Sequence, residues 1–138
     1  MLYQAEITDD PINVVQEGFW KTNEAPGTVK HFTDLLVEGT ISHLATIDSA
    51  ISSVVYTEIN WELHRMPAVD RCLLRSAAYE LLYLIDIPPA VSINEAIEIA
   101  RAYSTDDSPQ FVNAILDKIK DIGTEVVGLE HLRTSGGE

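Results

Sequence analysis

The sequence is short of cations, of cysteine and of long apolar runs. Nine Lys+Arg stand against 22 Asp+Glu, a net charge of −13 at pH 7. A chain with that balance has no global field to attract nucleic acid. Any RNA or DNA contact must rest on a local basic patch, or on a partner that supplies the positive charge. The single cysteine, Cys72, cannot form an internal disulfide and fits a reducing compartment. No apolar stretch approaches the roughly 18–20 residues needed to span a bilayer. The opening Met1-Leu2-Tyr3-Gln4-Ala5-Glu6 has neither the basic start nor the apolar run of a secretory signal. What remains is 138 residues, 46% of them hydrophobic, enough for one domain with its own core. The expectation is a cytoplasmic, acidic domain over 1–133 with a flexible tail over 134–138.

Helical spacing dominates the pattern. Pro11, Pro26-Gly27, Pro67, Pro88-Pro89, Pro109 and Gly123 punctuate segments that fit helices. The segment up to Ile7 reads as the last turns of a helix. A second helix is expected from about Pro11 to Trp20, on Ile12, Val15 and Phe19. From about Thr28, Phe32, Leu35, Leu36 and Gly39 share a side, and Leu44, Ile47, Ile51, Val54 and Val55 continue the pattern, with Asp48-Ser49 as a possible new cap. Val69, Leu73, Ala77, Leu81 and Leu84 mark a helix face that Pro88-Pro89 ends. Ser92-Ile93-Asn94-Glu95 has the form of a capping box, with Val91 and Ala96 as its staple. It predicts a buried stripe of Ile93, Ala96, Ile97, Ala100 and Tyr103. Ser108 as cap and Pro109 at the first position open the last helix, and Gly123 is its expected stop. No strand-period alternation persists beyond a few residues. The fold class is all-α, with six or seven helices.

Catalytic and metal signatures are absent from the pattern. His31, His43, His64 and His131 form no i, i+4 pair, and there is no H-E-x-x-H or C-x-x-C. No G-x-S-x-G or Gly-rich phosphate loop appears. Cys72 reads as a small core residue, and Asp9-Asp10 and Asp106-Asp107 belong to turns and helix starts. No metal, no cofactor and no enzyme activity are expected. The basic charge is unevenly placed. Residues 1–60 hold two basic and nine acidic residues, net −7, whereas 61–138 hold seven and 13, net −6. Arg65, Arg71 and Arg75 cluster, and the last two share a helix face. Arg75 can equally be a structural partner of Glu80 or of a carboxylate on another helix.

The middle of the chain carries a specific series: Trp61-Glu62-Leu63, Arg65-Met66, Val69-Asp70-Arg71, Leu74-Arg75, Ala78-Tyr79-Glu80-Leu81, Asp86-Ile87-Pro88, Ile93 to Ala100, Asp107-Ser108, Phe111-Val112-Asn113 and Leu116-Asp117. In order and spacing it resembles the NusB family of bacterial transcription antitermination factors, densely from Trp61 to Asp117. Upstream, Leu2-Tyr3-Gln4 and Phe32 to Gly39 resemble the family more loosely. The resemblance implies two small helical bundles packed together and no enzyme activity. It implies pairing with NusE, a small-subunit ribosomal protein, and binding of boxA RNA in ribosomal RNA leader transcripts. The assembled RNA polymerase antitermination complex then reads through terminators.

Residue by residue, Tyr3, Arg71 and Asp117 match the family's RNA-binding positions, and Asp70 and Arg71 its partner-binding positions. Tyr3 can stack on an unpaired base and Arg71 can contact phosphate. Tyr3 and Asp117 can also be plain helix-surface residues. Family members usually carry an arginine-rich stretch before L-Y-Q, which is missing here. Either Met1 is a misassigned start or the protein lacks that segment, and the uncapped, apolar beginning favours the first. Both imply lowered RNA affinity for the sequence as it stands. Two other readings stay open: a protein-binding module that has lost RNA contact, and a detached NusB-like domain of a ribosomal RNA methyltransferase. The family includes monomers and homodimers.

Overall fold

The computed structural model describes residues 1–59 and 66–136, and the side chains of 1–56 and 66–123. Among the described residues there are seven helices and no strand: α1 Leu2–Thr8, α2 Ile12–Thr22, α3 Gly27–Ser42, α4 Leu44–Ile59, α5 Ala68–Tyr83, α6 Pro89–Tyr103 and α7 Ser108–Gly136. The expected Trp61 to Arg65 series lies outside the described residues.

Proline sets the starts. Pro11, Pro26, Pro67 and Pro88 each sit immediately before a helix in an extended conformation. Their fixed φ and missing N–H suit that place, where a donor would have no intrahelical acceptor. Pro88-Pro89 therefore opens α6 rather than ending α5. The α5 helix has already stopped at Tyr83, and a turn closed by the Ile87 amide on the Leu84 carbonyl separates the two. The capping box is displaced for the same reason: Ser92 lies inside the first turns of α6, fully buried. The break between α3 and α4 falls at His43, not at Asp48-Ser49. At the other end, α7 passes straight through Gly123. A Cβ there would lie 3.0 Å from the Leu81 carbonyl oxygen, so this glycine allows α7 to approach the end of α5.

The contiguous core is built by α4 to α7 together with Met66. Ile47, Ile51 and Val55 of α4, Leu74 and Ala78 of α5, Ala96 and Ala100 of α6, and Val112, Leu116 and Ile119 of α7 form its centre. Alanines on α5 and α6 let those two axes come close. Tyr103 ends the expected α6 stripe on the outside, 76% exposed. The α1–α3 group is a smaller bundle packed directly on α5, which meets α1, α3, α4, α6 and α7. The buried face of α3 is Val37 and Thr40, while Phe32 and Leu35 look outward.

Candidate nucleic-acid and partner interface

The expected site residues radiate from the first turns of α5. Arg71 lies largely inside the protein, its side chain 14% exposed. One guanidinium nitrogen donates to the Met66 carbonyl at 2.9 Å, and another pairs with Glu6 of α1. Arg75, one turn on, clasps Asp48 of α4 through two parallel bonds of 2.8 Å each. It also reaches the second oxygen of Glu6 at 3.4 Å. The inter-helix alternative thus describes Arg75, with Asp48 rather than Glu80 as its main partner. Between the two arginines, the Cys72 thiol donates to Glu6 at 3.2 Å. Burial pushes that thiol's pKa up, and the two guanidinium groups pull against it. The thiol stays protonated near neutrality and behaves as a donor.

Asp70, expected to meet a partner, is 4% exposed and faces the opposite way. Its carboxylate accepts from the Ser104 hydroxyl at 2.5 Å and the Ser108 hydroxyl at 3.0 Å. It anchors the turn between α6 and α7 to the start of α5. Ser108 is therefore tied into this buried network, and a small hollow of about 250 Å³ lies beside it, lined by Met66, Asp70, Thr105 and Phe111.

Tyr3 is open, 50% exposed. It rims a groove of about 450 Å³ whose wall includes Phe19, Leu36, Val69, Ile99 and Tyr103. Two exposed tyrosines, Tyr3 and Tyr103, thus flank one apolar depression. Asp117 is on the outer face of α7, where it accepts from Lys120 at 2.9 Å. That bond, with the charge of Asp117 behind it, raises the Lys120 pKa. The structure brings Arg71 and the helix carrying Tyr3 together through Glu6. Asp70 shares a helix with Arg71 but points into the core, and Asp117 belongs to another surface element. Spacing gives no hint of Glu6, because its partners are 65 to 69 residues away. Tyr103 was legible as an aromatic but not as an exposed one. Among the described residues no group of three or more metal-ligating side chains is gathered, and no helix is long and apolar enough to cross a membrane.

Comparison with known proteins gives this geometry its setting. The chain matches the NusB family over residues 1–121. It is 44% identical over 126 residues to transcription antitermination protein NusB of Thermoanaerobacter sp. (strain X514), covering 91% of this chain and 86% of the relative. It is 46% identical over 126 residues to the protein of the same name from Salinispora arenicola (strain CNS-205), covering 90% of each. Among solved structures, T. maritima NusB superposes with a TM-score of 0.76 at 36% identity, over 87% of this chain and 82% of that one. A chain from the crystal structure of antitermination factors NusB and NusE in complex with dsRNA has a TM-score of 0.76 over 88% of both chains, and at 21% identity it bears on the fold alone. Family match, identity over most of both chains and shared helical architecture agree: the chain belongs to the NusB family.

Proposed function

We propose that the chain is a transcription antitermination factor, an RNA- and protein-binding module rather than an enzyme. It would act in the cytoplasm with NusE on boxA RNA and join the RNA polymerase antitermination complex. The observation that carries this reading is the 44% identity over 126 residues to a relative named for antitermination. The solved complex of antitermination factors NusB and NusE with dsRNA, which contains a chain of the same fold, names partners of the kind this reading requires. A basic ribosomal protein also complements the net charge of −13.

Within this reading Tyr3 offers its exposed ring to an unpaired base. Asp117, on an exposed face, can accept from a base amino group or orient a basic partner. Arg71 is the phosphate and partner contact. Asp70 contributes from inside, by holding the α6–α7 turn against α5. The relatives at 44% and 46% identity are named for antitermination, which favours this reading over a NusB-like domain of a methyltransferase. A protein-binding module without RNA contact of its own is favoured by one observation, the engagement of Arg71 and Arg75 with carboxylates.

The experiment is a titration of labelled boxA RNA with the chain, with and without NusE, at two salt concentrations, against scrambled RNA. Selective binding that tightens with NusE and weakens steeply with salt is the expected result. NusE binding without any RNA selectivity would overturn the RNA half of the reading.

A further inference from the structure

Glu6 presents its carboxylate to α5 as a bound anion would. One oxygen pairs with Arg71, and the other takes Arg75 at 3.4 Å and the Cys72 thiol at 3.2 Å. A phosphodiester has the same features: two terminal oxygens, one negative charge, and a fit to guanidinium forks. The three donors come from about one turn of α5, the helix on which the whole fold is packed, so their positions are fixed. Arg75 is held independently by Asp48, and Arg71 by the Met66 carbonyl. The group that fills the site is less firmly placed. No residue of α1 is fully buried. Hollows lie on both sides of it, the groove of about 450 Å³ beside Tyr3 and a cleft of about 380 Å³ lined by Leu2, Glu6, Asp10, Leu44, Cys72 and Arg75. Glu6 can swing away without opening the core, and the guanidinium groups remain where they are.

We propose that Glu6 is the built-in occupant of a phosphate site formed by Arg71 and Arg75, and that an RNA phosphodiester displaces it when the chain engages RNA. The proposal rests on the RNA-binding reading above. It explains how a chain of net charge −13 keeps two arginines ordered with no nucleic acid present. It also makes the cost of binding specific: one anion replaces another, so this contact releases less affinity than a free arginine would.

The test is fluorescence anisotropy of a single-stranded boxA oligonucleotide, with NusE present, at two salt concentrations. It compares the full chain with Glu6→Gln, Arg71→Gln and the double variant. Without its resident carboxylate the site begins with one negative charge fewer. Glu6→Gln is expected to bind about three- to tenfold tighter, the scale of one charge-assisted hydrogen bond in partial solvent. Its salt dependence should steepen by roughly 0.7 in log–log slope, one extra single-strand phosphate. The double variant should lose both gains. Equal or weaker binding by Glu6→Gln with an unchanged melting transition overturns the proposal.

A measurement on the unaltered chain covers the case in which that variant unfolds. The Arg71 side-chain nitrogen resonance should move on saturation with RNA, and the α1 amides should exchange faster. A resonance that stays put overturns the displacement. If neither the chain nor any variant binds RNA with NusE bound, the RNA-binding reading itself fails. Selective RNA binding with no gain from Glu6→Gln sinks the displacement alone.

Discussion

The two bundles are held by different physics. In α4 to α7 the contacts are apolar and continuous, from Ile47 through Leu74 and Ala96 to Ile119. In α1 to α3 the fully buried set is small and half polar: Val15, Gln16, Val37 and Thr40. Polar ties substitute for core there. The Gln16 amide donates to Asp34 and Glu38, each at 3.2 Å, and the Trp20 indole donates to Asp34 at 2.9 Å. Glu6 joins α1 to α5 through charge. A net hydrogen bond contributes about 1 kcal/mol, whereas burying one large aliphatic side chain contributes about 1.5–3 kcal/mol. The second bundle is therefore the scaffold, and the first leans on it with a larger share of polar contacts.

The most severe way to break that comparison is to hollow the scaffold. Leu74, fully buried at the centre of α5, should cost about 2–5 kcal/mol on truncation to alanine. Val37 of α3, buried but outside that core cluster, should cost clearly less per methyl group removed. Urea denaturation followed by circular dichroism measures both. Equal losses per methyl group would mean that the two bundles share one core, and the distinction would fall.

The seam between the bundles gives the next effect. Gly39 faces Tyr79 so closely that a Cβ would collide with its ring. That ring is buried and stacked with Tyr83, whose centroid is 5.4 Å away, and Tyr83 stacks in turn on His43 at 4.1 Å. Moving Tyr79 would disturb the row. Gly39→Ala should destabilise by about 1–2 kcal/mol, overpacking outweighing the better helix propensity of alanine. At Gly18 of α2 a Cβ would meet nothing within 4 Å, so Gly18→Ala should be neutral or raise the melting temperature. If the two substitutions behave alike in thermal melts, propensity and not packing rules this seam.

The same contrast explains what could be read from residue order. Helices with strong periods and proline starts were legible, because local patterning fixes them: Ile93, Ala96 and Ala100 are buried as their spacing requires. The core half of the family series, from Val69 to Leu116, is also the half where the motif match is dense. Boundaries were less legible where a strong local signal was overruled. Ser92 looks like a cap, yet Pro88 starts the helix earlier and leaves that hydroxyl buried, facing Glu80 without a hydrogen bond of normal geometry. Gly123 looks like a stop, yet it serves close approach to α5. The site was least legible, because its decisive contacts are non-local. Arg71 has the chemistry of a phosphate contact, but its neighbour in space is Glu6, and Asp70 beside it in sequence points to the hydroxyls of Ser104 and Ser108.

The smallest effect sharpens the comparison from within the scaffold, at a carboxyl whose titration is clearly moved upward. Glu80 is half-buried on α5. Burial raises its pKa, the Ser92 hydroxyl lowers it and nearby Glu95 raises it again. A carboxyl whose pKa is higher folded than unfolded favours folding fully below the unfolded value, near about 4.3 for glutamate. That contribution is lost as pH rises through the folded value, so at neutrality the ionised group is a burden on the fold. Glu80→Gln keeps the shape and removes the charge. It should raise the melting temperature modestly at pH 7, with an advantage that shrinks toward zero as the pH approaches the ordinary carboxylate range. Glu98→Gln, in an exposed pair with Arg101, should change the melting temperature little at pH 7. A gain from Glu80→Gln that persists undiminished at low pH would assign the effect to packing rather than to the charge of Glu80.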